Sequence, residues 1–191
     1  MHKKLTFFEI TNFSLSIVTL LYSLISSNKK LIYGGFSLLI ASILSILFIK
    51  ICRLKFRSFE INILQFHIFI SIFLGTTLNF YSFINQFDFY LHIIFGFVCC
   101  VLSIPVINYF IEKSDLDNNK ISTGFMIFII FCFSTTCGVV WELYEFTIDA
   151  LFNLNTQNNS LLDTMTDIIA NTTGVITFCL YYIFKKRKQA K

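Results

Sequence analysis

Charge is scarce in this sequence. Lys, Arg, Asp and Glu make up 14% of its 191 residues, against about 25% in a typical soluble domain. Proline is almost missing, Pro105 being the single one, and there are seven glycines. These shortages exclude an ordinary water-soluble core and a Pro- or Gly-rich linker between soluble domains. The six cysteines (Cys52, Cys99, Cys100, Cys132, Cys137 and Cys179) form no CxxC and no Cys/His spacing, so the usual zinc and dithiol signatures are absent. All six stand in or beside apolar runs and read as small buried hydrophobes. The small residues of a signal-peptide cleavage site are missing too. The first alanine is Ala41, and Ser26-Ser27 is a poor substitute. The N-terminal apolar run is therefore expected to be a retained first membrane helix.

Apolar residues are abundant: 55% of the chain is hydrophobic, with 25 Phe and a mean hydropathy of +0.72. A membrane span needs about 20 apolar residues to cross about 30 Å of hydrocarbon. Six segments qualify, at about 7–27, 31–51, 61–83, 89–111, 121–151 and 162–184. The expected fold is an all-α, polytopic integral membrane helical bundle, a single transmembrane domain over residues 1–191. Cytoplasmic loops carry the excess of Lys and Arg. With a cytoplasmic N-terminus, Lys3, Lys4, Lys50, Arg53, Lys55, Arg57, Lys113, Lys120, Lys185, Lys186, Arg187, Lys188 and Lys191 all fall inside, and only Lys29 and Lys30 fall outside. Both termini are thus expected in the cytoplasm of a cell, the chain lying multi-pass in a cytoplasmic membrane. The net charge of +4 then reflects topology and anionic-lipid contact rather than nucleic-acid binding.

The acidic residues divide unevenly under that topology. Glu9, Glu60, Glu112, Asp115 and Asp117 fall in cytoplasmic flanks, where solvation accounts for them. Asp88, Glu142, Glu145, Asp149, Asp163 and Asp167 all fall toward the outer side. Residues three, four or seven apart share a helical face. Asp88, His92 and Gly96 form one such stripe, and Glu142, Glu145 and Asp149 a second, within Trp141-Glu142-Leu143-Tyr144-Glu145-Phe146-Thr147-Ile148-Asp149. Asp163, Asp167 and Asn171 form a third, continued by Gly174. At about 1.5 Å per residue, His92 lies about 6 Å deeper than Asp88, and Asn171 about 12 Å deeper than Asp163. His67 falls in the cytoplasmic half of its span, where a helix-packing role is expected, and the loop around Asn155–Asn159 reads as an ordinary connection.

Carboxylates crowded in a low dielectric must share protons, separate or bind a cation. Glu142, Glu145, Asp163 and Asp167 are the candidate ligands of a divalent ion such as Mg²⁺, Mn²⁺ or Ca²⁺, which an oxygen-rich set suits. His92, oriented by Asp88, is the candidate acid–base pair, since a free imidazole titrates near neutrality. Asp149, Asn171 and Trp141 are expected to line the same pocket. A plainer account competes for the outer members. Trp141 can mark the interfacial aromatic belt, and Asp88 and Asp163 can cap their helices, where the dipole favours acids.

At these motifs the chain resembles the YjdF-like membrane-spanning proteins, small multi-pass proteins of bacteria, and more distantly the VanZ-like family. The matching pieces are Asp88-x3-His92-x3-Gly96, Trp141-Glu142-x2-Glu145, and Asn155-Thr156-Gln157 leading to Asp163-Thr164-x2-Asp167-x3-Asn171-x2-Gly174, across roughly 85–180. The resemblance implies a cell-envelope setting and an outward-facing site, and supplies no reaction. VanZ-like members are associated with reduced teicoplanin sensitivity; the double-Glu motif of the fifth span departs from their pattern. Three functions remain open: a metal-assisted enzyme acting on a lipid or lipid-linked envelope precursor, a proton or cation transporter, and a non-catalytic scaffold locked by a polar cluster. Membrane lipids are the expected partners.

Overall fold

A computed structural model describes residues 5–114, 121–153, 155–157 and 160–189, all helix, turn or loop, with no strand among them. His2, Lys3, Lys4, Asp115, Asp117, Lys120, Asn158, Asn159 and Lys191 lie outside the described residues. The helices are α1 (Phe7–Ser26), α2 (Lys29–Ile51), α3 (Ser58–Ile68) continuing as a π-helix (Phe69–Thr77), a short α4 (Phe80–Phe83), α5 (Phe87–Lys113), α6 (Thr123–Phe152) and α7 (Leu161–Gln189). Six helices are long and apolar enough to span a membrane, α3 and the π-helix together forming the third. The chain is an all-α polytopic membrane protein. It divides into two compact units, Met1–Phe87 and Asp88–Lys191.

In the N-terminal unit the third span ends at Thr77, short of the expected residue 83. Asn79, just past that end, explains the difference: it has positive φ, a region that non-glycine residues enter rarely and Asn more readily than most. The π register shows in Leu78 N–H donating to the Phe73 carbonyl and Thr77 Oγ1 to that of Ile72, each five residues back. Gly75 leaves room for Tyr81, whose ring a Cβ there would meet at 2.5 Å. The inward face of α1 is polar throughout: Glu9, Asn12, Ser16, Thr19 and Ser23 are its buried residues. None of its apolar side chains is buried, and many, among them Phe7, Ile17, Leu24 and Ile25, are exposed. That inversion suits a helix whose surroundings are hydrocarbon.

The C-terminal unit packs α5, α6 and α7. The buried stripe of α6 is Met126, Ile130, Ser134, Gly138 and Glu142, spaced every four residues. It therefore runs from apolar through small to acidic along one face. α5 and α7 make the same gradation in their own directions. Cys100, Ile107 and Ile111 of α5 join Met126, Ile130, Val175 and Phe178 in one apolar core. Asp88 and His92 of α5 and Asp167 of α7 occupy the opposite end of those helices. The basic residues described in this unit, Lys113 and Lys185–Lys188, stand at the apolar-core end.

Candidate functional site

The site is built where three glycines let three helices touch. A Cβ on Gly96 would stand 2.1 Å from the Asn171 carbonyl oxygen, and one on Gly174 2.0 Å from that of Ile93. On Gly138 a Cβ would stand 2.2 Å from Asn171 Nδ2. Small residues allow such backbone approach between membrane helices. Asn171, almost fully buried, is the hub, and its Nδ2 donates to the Ser134 carbonyl at 3.4 Å. One turn above this crossing, each helix presents its acidic residues to the others.

His92 is the centre of the cluster. It is 4% exposed, and its Nε2 lies 3.7 Å from Asp88 Oδ1 on its own helix and 3.7 Å from Glu142 Oε1 on α6. One donor atom from each of Asp88, His92 and Asp167 falls within 4.8 Å of the others. The same holds for His92, Glu142 and Glu145. Ligand atoms sitting about 2.0–2.6 Å from a hard divalent ion are separated by distances of this order, so each triad has room for one ion. Glu142 and Asp167 are each 3% exposed. Glu142 Oε1 and His92 Nδ1 have no hydrogen-bond partner among the described residues. A buried carboxylate oxygen without a donor carries an uncompensated desolvation cost, which a cation would offset.

The remaining expected residues are placed differently. Asp163, in the first turn of α7, contributes no atom to either triad. Asp149 turns to the loop, accepting from the backbone N–H of Thr156 (2.9 and 2.8 Å) and Gln157 (3.0 Å) and from Thr156 Oγ1 (2.8 Å). Trp141 is exposed and donates from its indole nitrogen to Glu145 Oε1 at 3.1 Å. Asn171 lies beneath the acids, at the helix crossing.

Gln157 is the residue that sequence reasoning passed over. It is buried, and its Nε2 donates to the backbone carbonyl (3.1 Å) and to Oε2 (3.2 Å) of Glu142. Asp149 therefore folds the loop back, and the loop delivers an amide that fixes one Glu142 oxygen while the other stays free beside His92. The available signal was the Asn155-Thr156-Gln157 piece itself, which had a place in the motif but no assigned contact.

No curated protein and no solved structure matches the chain. The match to a family of membrane proteins extends over residues 8–188, reaching well before the 85–180 stretch on which the motifs are found. The chain belongs to the family described as predicted membrane protein (DUF2238).

Proposed function

We propose that the C-terminal unit is a divalent-cation centre at the extracytoplasmic face of a bacterial cytoplasmic membrane, serving the chemistry of an anionic envelope ligand. The observation that carries this reading is Glu142 Oε1: buried, without a donor, and 3.7 Å from Nε2 of His92, the residue that both triads share. In this reading His92 is common to both ligand sets, Glu142 and Glu145 completing one and Asp88 and Asp167 the other, and Gln157 orients Glu142. Asp88, about one-third exposed, is the carboxylate best placed to exchange protons with water. The ion would polarise and orient a ligand oxygen. The basic-residue distribution supports the outward orientation, and the YjdF-like and VanZ-like motif resemblance supports the envelope setting. The buried stripes turn apolar at Ile107, Met126, Ile130 and Phe178, which favours a site at one end over a pathway across this unit.

The test is the metal content of the detergent-purified protein and of its Glu142→Gln and Asp167→Asn variants. Wild type is expected to hold stoichiometric metal, and each variant to lose it. A cation at about 100 times its Kd adds about 2.7 kcal/mol of stability, so Mg²⁺ or Mn²⁺ should raise the wild-type melting temperature. In chelator the variants should melt at or above wild type, because each removes a crowded carboxylate. A metal-free wild type whose variants melt lower would overturn the reading and favour a structural polar cluster.

A further inference from the structure

Beside the acidic cluster, α5 and α6 form an apolar groove of about 640 Å³. Phe133, Cys137 and Trp141 make one row of its wall, and Thr136, Val140 and Tyr144 the next, all on one face of α6. Phe95 of α5 closes the opposite side, its ring 5.9 Å from Trp141. The first row advances by four residues, and its next member is Glu145, to which Trp141 donates its indole N–H at 3.1 Å. The apolar groove thus ends on a carboxylate of the His92–Glu142–Glu145 triad.

Length identifies the occupant. Phe133 to Glu145 spans twelve residues, about 18 Å of helix. One leaflet of a bilayer is about 15 Å of hydrocarbon, half the full core. A transmembrane helix of a partner would need a groove along the whole span, whereas a lipid chain needs one leaflet and a polar end. The polar end is acidic, and the basic residues described in this unit all stand at its other end. An anionic head group would therefore be held through the cation.

Building on the cation reading above, we infer that the groove and cluster together bind a phosphate-headed amphiphile, its acyl chain along Phe133, Cys137 and Trp141 and its phosphate on the ion. Trp141 is the single tryptophan of the chain, so it reports on this groove alone. The full-length protein is reconstituted in phosphatidylcholine vesicles containing a minor fraction of phosphatidic acid with brominated chains, or the same fraction of brominated phosphatidylcholine. With Mg²⁺ present, the brominated phosphatidic acid should quench Trp141 several-fold more than the brominated phosphatidylcholine. Chelation and Thr136→Phe, which fills the groove away from the ligands, should each abolish the excess. Metal content of Thr136→Phe is measured alongside and should match wild type. Equal quenching by the two lipids in a protein that holds its metal overturns the amphiphile site and leaves the cation centre standing. Excess quenching that survives chelation overturns the bridging ion, and excess that survives in Thr136→Phe overturns the groove. A protein without metal fails the cation reading first.

Discussion

The two units handle buried polar groups in opposite ways. In the N-terminal unit, Glu9 accepts from the Thr6 N–H, Asn12 donates to both oxygens of Gln65, and Gln65 donates to Ser45 Oγ at 2.8 Å. Ser16 and Ser23 donate to carbonyls of their own helix. Glu60 is matched by the Arg57 backbone N–H and guanidinium. The buried carboxylates there sit at helix starts with donors supplied, and the buried face of α1 continues in neutral amides and hydroxyls. In the C-terminal unit, four carboxylates converge on one imidazole, and among the described residues Gln157 and Trp141 are the side chains that donate to them. Polar groups that bind each other read as packing; carboxylates brought together without bases read as a site. The orphaned atoms make the same distinction. Those of the first unit include neutral oxygens such as Asn12 Oδ1; the second has neutral ones too, on Ser134, Thr135 and Asn171, and adds a carboxylate oxygen of Glu142.

The largest effect expected is at the crossing that builds the second pattern. Gly174→Val places a branched side chain where even a Cβ meets the Ile93 carbonyl at 2.0 Å. Backbone cannot yield as a flexible side chain would, so the cost should reach about 3 kcal/mol. Separating α5 from α7 should also abolish metal retention, since Asp88 and His92 lie on one helix and Asp167 on the other. Thermal melting in detergent with metal analysis checks this. An unfolded-free, metal-loaded Gly174→Val protein would show that the site does not depend on close helix approach.

A smaller effect should follow from Gln157→Ala. The amide holds a ligand without touching the ion, and losing such support weakens metal binding about 10- to 100-fold. Melting in chelator should change little, which separates orientation of Glu142 from folding. Metal titration of the two proteins decides. An unchanged Kd would reduce Gln157 to loop packing and make the acidic end less ordered than its contacts indicate.

The spans, and the three acidic stripes on faces of α5, α6 and α7, were legible because helical periodicity places residues four apart on one face. Gly96 and Gly174 were visible as members of those stripes, but their close contact with Asn171 and Ile93 depends on helix crossings that no single-helix pattern encodes. Asp149 matched the stripe spacing and was read as pocket-lining; only the folded loop shows that it clasps Thr156 and Gln157. The π-helix was invisible because Phe69–Thr77, mostly apolar with a few hydroxyls, would satisfy either register. The polar seam of α1 was in fact written in the sequence, Glu9, Asn12, Ser16, Thr19 and Ser23 being spaced by three and four. Reading charge and imidazole as the informative residues left the hydroxyls and amides of α1 unexamined.

That seam supplies the mildest test of the comparison. Gln65 is fully buried and joins α1 to α2, accepting from Asn12 Nδ2 at 2.8 Å and donating to Ser45 Oγ. Gln65→Leu keeps the volume and the backbone carbonyl that Asn12 also uses at 2.9 Å, so part of the bonding survives. Interhelical hydrogen bonds in membrane proteins average about 0.6 kcal/mol and reach about 1.7. A loss within that range is expected by thermal melting, with metal content unchanged from wild type. The size matters because partners within a membrane are found in the unfolded state too, which keeps paired amides modest in net worth. A Gln65→Leu protein that melted as low as Gly174→Val, or that lost its metal, would mean that the paired seam supports the acidic site, and the contrast between packing and site would no longer separate the two units.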